Sequence, residues 1–544
     1  MRNILKFLNV LLFASHNLFA NNLSVIPPGP VTNNTKLEIR INLTNSTDST
    51  QHLTLRTYLN NISDTNLIYL TSEIELVPSK SELAIFWLNT SEFPTGNHTI
   101  IVEISDKYGN ITIEQWPIEV FPANTKAVLG LSGGWIDPGV LIEGWGYPRD
   151  RKVDEIDIKD EIDAMKRIGM STIIITYVEY KISFYPSEFL DFPYYGMDVI
   201  RLILEQADKN GMHVFLGLGR GVDDLLLWEG LGDYDRIQKG IDFSKKVAQE
   251  IWDMYGNHSS FYGWYLTHEA NDIGRAANYY NPVAEFCKNL APEKPVMIAP
   301  AGTPIISEWI LNTSKIDIFA YQDAVGAGLK NYEYTHDPEI RIADLDSIYG
   351  YYSKLHKNTN KHIWSDLEIW RSNPETGYTP FLPGPIDQII QQINIEARHV
   401  DFITGYEFLS MMEPEESTLK LGGNKAIVLY NQYLDYYHST FLSTKKTSNK
   451  INNSLDFIVY PNPFNSSTIF EIKNLIQENI LGLDIFDIQG RLIKSFNFNV
   501  HQNQYTTIKW NGLNNQDLKV SQGVYIGRLK TKNGLFSVKL LYLK

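Results

Sequence analysis

The chain has 544 residues, too many for one compact core and enough for two to four domains. Apolar residues make up 43% and the formal net charge is −15. That balance excludes a disordered or fibrous chain, and it argues against a nucleic-acid or anionic-membrane binder, because both partners are held by a basic face.

In chain order, a basic start (Arg2, Lys6), an apolar stretch from Phe7 to Phe19 and a small residue, Ala20, before Asn21-Asn22 predict a signal peptide over 1–20. The stretch is too short to span a bilayer, and no other segment reaches spanning length, so no transmembrane helix is expected in the mature protein. Residues 21–124 alternate with period two, as in Lys36–Leu43, Leu53–Tyr58 and His98–Ser105. The turn Asp106-Lys-Tyr-Gly109 leads into another such run, Asn110–Trp116. Alternation between turns predicts an antiparallel sandwich. Within it, Pro94-Thr-Gly-Asn-His-Thr-Ile-Ile-Val102 resembles the penultimate strand of immunoglobulin-like accessory domains.

Over 125–438 short apolar strands alternate with amphipathic helices. The strands read as Val128–Ser132, Thr172–Tyr177, His213–Leu218, Phe261–Leu266, Pro295–Ala299, Ile316–Tyr321, His362–Leu367 and Phe402–Phe408. Helices are predicted at Asp154–Gly169, from Val199 to Gly211, at Tyr234–Tyr255, Pro338–Lys357, Ile386–Arg398 and Lys425–Tyr437, with another over 281–290 holding Cys287. This lone thiol can form no internal disulfide and no cysteine zinc cluster, and reads as buried and inert. Eight βα units in roughly 310 residues fit a (β/α)8 TIM barrel, and no Gly-rich phosphate loop follows the first strand to suggest a doubly wound sheet. The polar stretch 439–455 reads as a linker. Strands return over 456–544, with Tyr460-Pro-Asn-Pro-Phe464, Gly482–Ile493 and Gly523-Val-Tyr-Ile526 in order. These motifs resemble the type A C-terminal sorting domain of the type IX secretion system of Bacteroidota. The resemblance implies handling by that machinery and release or attachment at the cell surface. The fold class is therefore multidomain, a TIM barrel between two antiparallel β-sandwiches.

In such a barrel, functional groups stand at the C-terminal strand ends. The fourth strand runs into Thr267-His-Glu269 and the seventh into Glu368-Ile-Trp370, on opposite sides of the mouth. Two facing carboxyl groups suit glycoside cleavage. One acid must protonate the departing alkoxide, and a carboxylate must meet the positive charge at the anomeric carbon; in a retaining enzyme the two stand roughly 5–5.5 Å apart. Gly263-Trp-Tyr-Leu-Thr-His-Glu269, Ala320-Tyr-Gln-Asp-Ala-Val-Gly326 and Trp364-Ser-Asp-Leu-Glu368 resemble clan A glycoside hydrolases, and most nearly a Bacteroidota-rich family of glycosidase-like barrels of unknown function. The resemblance implies Glu269 as acid/base and Glu368 as nucleophile.

His268 stands where many members carry the Asn that binds the 2-hydroxyl, and Tyr406 falls near the position of their strand-eight Trp; both become candidate substrate contacts. Tyr321 and Gln322 end the sixth strand, where the family orients its nucleophile, although Tyr321 suits core packing as well. Trp135 and Asp137, Tyr177 and Glu179, and Arg220 and Asp223 end the first three strands, with Glu179 a rival for the acid role. Trp135, Trp370 and Tyr378 are candidate stacking platforms. No metal is expected, since Asp223, Asp224 and Asp366 lack histidine ligands at suitable spacing. The expected activity is cofactor-free hydrolysis of a poly- or oligosaccharide. The competing expectation is a non-catalytic carbohydrate-binding or adhesion protein on the same barrel.

Overall fold

A computed structural model describes residues 19–143, 151–190, 193–220, 222, 226, 230–331, 333–376, 380–442, 455–460, 462, 464–474, 480–487, 491–500, 505–531 and 535–542. The expected signal peptide, save its last two residues, lies outside this set, as do Asp223, Asp224, Tyr378 and most of the expected linker. The chain forms two compact units, residues 1–445 and 446–544.

The first unit begins with a two-sheet sandwich. One sheet holds Phe19–Ile26, Lys36–Asn45 and Ser81–Asn89; the other is built on Gln51–Leu59, Gly96–Asp106 and Ile111–Phe121. Leu37, Ile39, Ile41 and Leu43 point into the sandwich core with Leu55, Ile100 and Val102. Period two puts Glu38 and Arg40 on the other face of that strand, yet both are buried, because this face covers the N-terminal end of the barrel.

The barrel closes from eight parallel strands. They are β1 (Gly133–Ile136), β2 (Thr172–Ile175), β3 (His213–Gly217), β4 (Phe261–Tyr265), β5 (Val296–Ile298), β6 (Ile318–Gln322), β7 (His362–Glu368) and β8 (Phe402–Tyr406). Each is followed by a helix: α1 (Glu155–Arg167), α2 (Val199–Asn210), α3 (Tyr234–Tyr255), α4 (Ile273–Leu290), α5 (Glu308–Thr313), α6 (Pro338–His356), α7 (Ile386–Glu396) and α8 (Gly423–Tyr437). Local signals set several ends. Asp154 and Asp157 form a capping box at α1, and Gly211 closes α2 in the left-handed region at φ 60°.

The first strand corrects the expectation. Val128–Ser132 is a lead-in packed under α8, where the Leu131 N–H donates to the Tyr433 hydroxyl at 2.6 Å. The strand proper opens on Gly133-Gly134, which β propensity disfavours. A Cβ at Gly133 would stand 3.0 Å from the Thr172 carbonyl oxygen, and one at Gly134 2.8 Å from Met165 and Met170, so glycine permits the close approach of β2 and α1. Cys287 is buried on α4, and burial raises its thiol pKa, consistent with an inert side chain.

Sandwich and barrel meet through polar groups as well as packing. Arg40 binds Glu38 at 2.6 Å and Asp317 at 2.9 Å, and Lys288 reaches Asp317 at 2.7 Å. Glu38 also meets His362 at 2.8 Å, and Trp87 stacks on His362. Trp116 stacks on His213 at 4.8 Å and donates from its indole to the Pro28 carbonyl. Ile26 joins the cluster of side chains that fills the barrel.

In the second unit a three-stranded and a four-stranded sheet enclose Phe464, Phe470, Leu483, Ile485, Trp510, Tyr525, Leu529, Leu540 and Tyr542. Phe464 and Tyr525, from two of the sequence motifs, are core residues here. Phe464 stacks on Tyr542 at 4.9 Å, and Trp510 meets Tyr525 edge to face at 5.3 Å.

Candidate active site

The filling of the barrel shows which side chains face inward. Trp135, Ile174, Phe215, Tyr262, Tyr265, Met297, Ala299, Ile318, Ala320, Trp364 and Phe402 form one buried interior cluster, with Tyr406 against it. Because strand side chains alternate, Trp364 puts Asp366 and Glu368 on the inner face of β7, and Ala320 puts Gln322 on that of β6. The pairing sets Gln322 and Thr404 level with Asp366, and Tyr406 level with Glu368.

Aromatic rings form the floor. Trp135 meets Tyr265 edge to face at 5.0 Å and Tyr406 at 6.0 Å, and its indole N–H donates to Thr404 Oγ1 at 3.0 Å. Above them Glu368 is buried, with the Ala327 N–H donating to its Oε2 at 3.2 Å. Burial, followed by the charge of Asp323 behind the wall, pushes the Glu368 carboxyl up to about 8, against the backbone N–H groups of Ala327 and Gly326. Asp366 is raised well above the usual range by burial, then by the charges of Glu368, Asp323 and Glu269. Glu269, on the loop after β4, is exposed. Its field also reaches Tyr406, whose phenol is raised by burial and by Glu407, Asp137 and Glu269.

Of the expected set, Glu269, Glu368, Trp135, Gln322 and Tyr406 lie at this end of the barrel, with Asp137 and Tyr177 near enough to act on Tyr406, while Tyr321, His268, Trp370 and Glu179 are packed away in the protein. Tyr321 corrects the expectation: it points outward, stacks on Tyr352 at 4.0 Å and shares a hydrogen bond of 2.9 Å with His356 Nε2. His268 also packs outward, against Tyr279 and Tyr280 of α4, while the Tyr280 hydroxyl donates to the His268 carbonyl. Trp370 is buried and stacked on Phe381 at 3.8 Å, which leaves it no free face for a sugar. Tyr177 is buried and donates its hydroxyl to Asp137, with the Arg220 guanidinium over its ring at 5.6 Å. Glu179 is fully buried beneath the loop after β3. Gly219 there has φ 151°, and a Cβ on it would fall 2.5 Å from Glu179 Oε1.

Some supporting residues carried no sequence signal. Asp323 Oδ1 accepts from the Glu368 N–H at 3.1 Å and from the Val325 N–H at 3.0 Å, while Gln392 of α7 donates to its Oδ2. Glu396 of α7 accepts from the Ser365 hydroxyl, and burial followed by the charge of Asp323 raises its carboxyl well above the usual range. These contacts join residues far apart in the chain. Asp366 and Tyr265 could have been placed by counting in twos from Glu368 and Glu269. Among the described residues no group of three or more His, Cys, Asp or Glu could hold a metal ion, and no helix is long and apolar enough to cross a membrane.

Residues 131–418 match the family described as Domain of unknown function (DUF4434), and residues 458–542 match the secretion system C-terminal sorting domain. No curated protein sequence is significantly similar to the chain. Among solved structures, a protein provisionally assigned as an α-L-fucosidase, from Bacteroides thetaiotaomicron, shares 22% identity with a TM-score of 0.45, over 57% of this chain and 93% of its own. A glycosyl hydrolase family 2 member from Bacteroides cellulosilyticus shares 11% with a TM-score of 0.34, over 96% of this chain and 63% of its own. A family 2 β-galacturonidase from Eisenbergiella tayi shares 13% with a TM-score of 0.35, over 77% of this chain and 72% of its own.

Proposed function

This chain belongs to the DUF4434 family, and from that membership we propose that it is a glycoside hydrolase that cleaves a poly- or oligosaccharide with Glu269 and Glu368. Its sorting domain directs it through type IX secretion to the cell surface or the extracellular space, where such substrates are met. What supports the reading is where the two carboxyl groups stand. The loop after β4 carries Glu269 and the end of β7 carries Glu368, in a closed parallel barrel, and the charge of Glu269 reaches Asp366 and Tyr406 on the strands at that end. The half-buried Tyr406, level with Glu368, can offer its ring to the apolar face of a sugar, and the carboxyl groups can serve its glycosidic bond.

In the mechanism, Glu269 protonates the leaving oxygen and Glu368 attacks the anomeric carbon to form a glycosyl ester. Water activated by Glu269 then hydrolyses the ester, with net retention. The Ala327 N–H and the Asp323 contact to the Glu368 backbone hold the nucleophile in place. A second reading exchanges the roles and is favoured by the high pKa of Glu368, which keeps its proton at neutral pH in the free protein.

A panel of polysaccharides and aryl glycosides tests both readings. Glu269→Gln and Glu368→Gln are each expected to lower turnover at least about a hundredfold while the protein stays folded. The acid variant should recover activity on glycosides with activated leaving groups, which need no proton, whereas the nucleophile variant should not. The pH profile separates the roles again. Turnover limited by Glu368 as nucleophile rises as pH climbs through about 8, because the group must lose its proton; with Glu368 as acid it falls over the same range. Near-normal turnover in either variant removes that residue from the mechanism.

A further inference from the structure

A cleft opens where the sandwich meets the N-terminal end of the barrel, and the two-carboxylate mechanism makes no use of it. Its volume is about 530 Å³, inside the roughly 300–1,000 Å³ of small-molecule sites. One wall is the outer face of two paired sandwich strands, Gly96–Asp106 and Ile111–Phe121. Ile100, Ile118 and Val120 point into the sandwich core, so alternation turns Asn97, Thr99, Pro117, Glu119 and Phe121 outward. Strand pairing sets Asn97 beside Glu119 and Thr99 beside Pro117. The Asn60 side chain fixes this corner: its Oδ1 accepts from the Thr99 N–H at 3.1 Å, and it meets His98 Nδ1 at 3.1 Å.

The other wall belongs to the barrel. Lys166 lies in the last turn of α1, Ser171 leads into β2, His213 opens β3 and Tyr437 ends α8. These positions are at the end of the barrel away from Glu269 and Glu368. Tyr437 is half-buried, and its ring lies over Gly169, where at φ 90° a Cβ would collide with it. Burial and then the charge of Glu119 raise the Tyr437 phenol, so the two walls stand close enough to act on one ligand.

The lining shows what chemistry suits it. Apolar rings (Pro117, Phe121, Tyr437) stand among hydrogen-bonding groups (Asn97, Thr99), with Glu119 and Lys166 supplying charges of opposite sign. A pyranose offers the matching mixture, an apolar C–H face with a rim of hydroxyls that donate and accept. An alkyl chain would leave the polar groups unpaired, and a polyphosphate would bring several charges to a cleft where Glu119 offsets Lys166.

We propose that this cleft is a second, non-catalytic carbohydrate site that binds sugar units of a glycan chain. Tyr437 and Pro117 pack against the ring, and Asn97, Thr99, Glu119 and Lys166 meet its hydroxyls. The site stands independently of the hydrolase reading: at the far end of the barrel it can hold a polymer without competing for the mouth.

The test uses the full chain and calorimetric titration with cello-, xylo-, manno-, malto- and oligogalacturonide hexasaccharides, in a Glu368→Gln background so that no ligand is consumed. Thr99→Trp plugs the cleft from the sheet face, Asn97→Ala removes a hydrogen-bonding group, and Tyr437→Phe removes only a hydroxyl. Expected is binding of at least one hexasaccharide that Thr99→Trp weakens by about tenfold or more and the other two variants by about threefold. Turnover of small aryl glycosides by the otherwise unaltered chain should not change with any of the three. Melting curves check folding, and if Thr99→Trp does not fold, Asn97→Ala and Tyr437→Phe decide. Binding indifferent to these substitutions, or no hexasaccharide bound at millimolar concentration, overturns the inference and leaves the hydrolase reading intact. Binding that depends on Thr99 and Asn97 in a chain whose parent cleaves no glycoside supports the inference and overturns hydrolysis.

Discussion

Buried acids set the pH response of this protein. Glu161, on α1, accepts a hydrogen bond from Ser417 at 2.7 Å; burial, then the charge of Glu413, pushes it from 4.5 up to about 8. Between those values the folded protein keeps a proton that the unfolded chain has released. Raising the pH through this window therefore removes stability, by up to about 1.4 kcal/mol per pH unit for one such group. Glu161→Gln keeps the shape and abolishes that release, so its melting temperature should gain on the parent as pH rises from 5 to 8. A constant difference between the two melting curves would show that Glu161 holds no proton in the native state. Only part of this chemistry was legible beforehand. The strand-end position marked Glu269 and Glu368, but the same rule picked Tyr321 and His268, whose side chains face outward. Which way a strand-end residue points depends on register, and register depends on neighbouring strands.

At the scale of elements, the loop that carries Glu269 is held from the side by α4. The Tyr280 hydroxyl donates to the His268 carbonyl and accepts from the Ala270 N–H at 3.3 Å, bracketing Glu269. Tyr280→Phe removes both contacts at little cost in volume. Turnover is expected to fall about tenfold, because small displacements of a catalytic group are expensive, and stability should fall by only about 1 kcal/mol. Kinetics beside a denaturant titration would separate the two effects; unchanged turnover would mean the loop is positioned by other contacts. Helices were the most legible elements: Tyr234–Tyr255 has the predicted limits, and Pro338 and Ile386 open α6 and α7 where expected. The first barrel strand was the least legible, because its glycines answer to the close approach of β2 and α1 rather than to any strand preference.

For the whole molecule, the sandwich closes the floor of the barrel, and Arg40 is its deepest polar contact there. Arg40→Ala would leave Glu38 and Asp317 buried with fewer partners, and is expected to cost about 3–5 kcal/mol in chemical unfolding. A loss below 1 kcal/mol would mean that apolar packing alone docks the sandwich. Deleting residues 456–544 is expected to abolish export, read by cell fractionation, while the melting of the first unit stays unchanged, since that unit has cores of its own.

The amino-acid sequence by itself determined the order of parts, the alternation of strand and helix that closes a barrel, the sorting tail and the two strand ends that present Glu269 and Glu368. All of these are written in short-range periodicity and contiguous motifs. Only the tertiary structure decided that Glu38 and Arg40 lie under the barrel, that Asp323 holds the backbone of Glu368, and that Asp366 is buried on the inner face of β7 while Tyr321, His268 and Trp370 turn away. Those contacts join residues tens to hundreds of positions apart, and burial sets their charge states, so neither spacing nor composition can carry them.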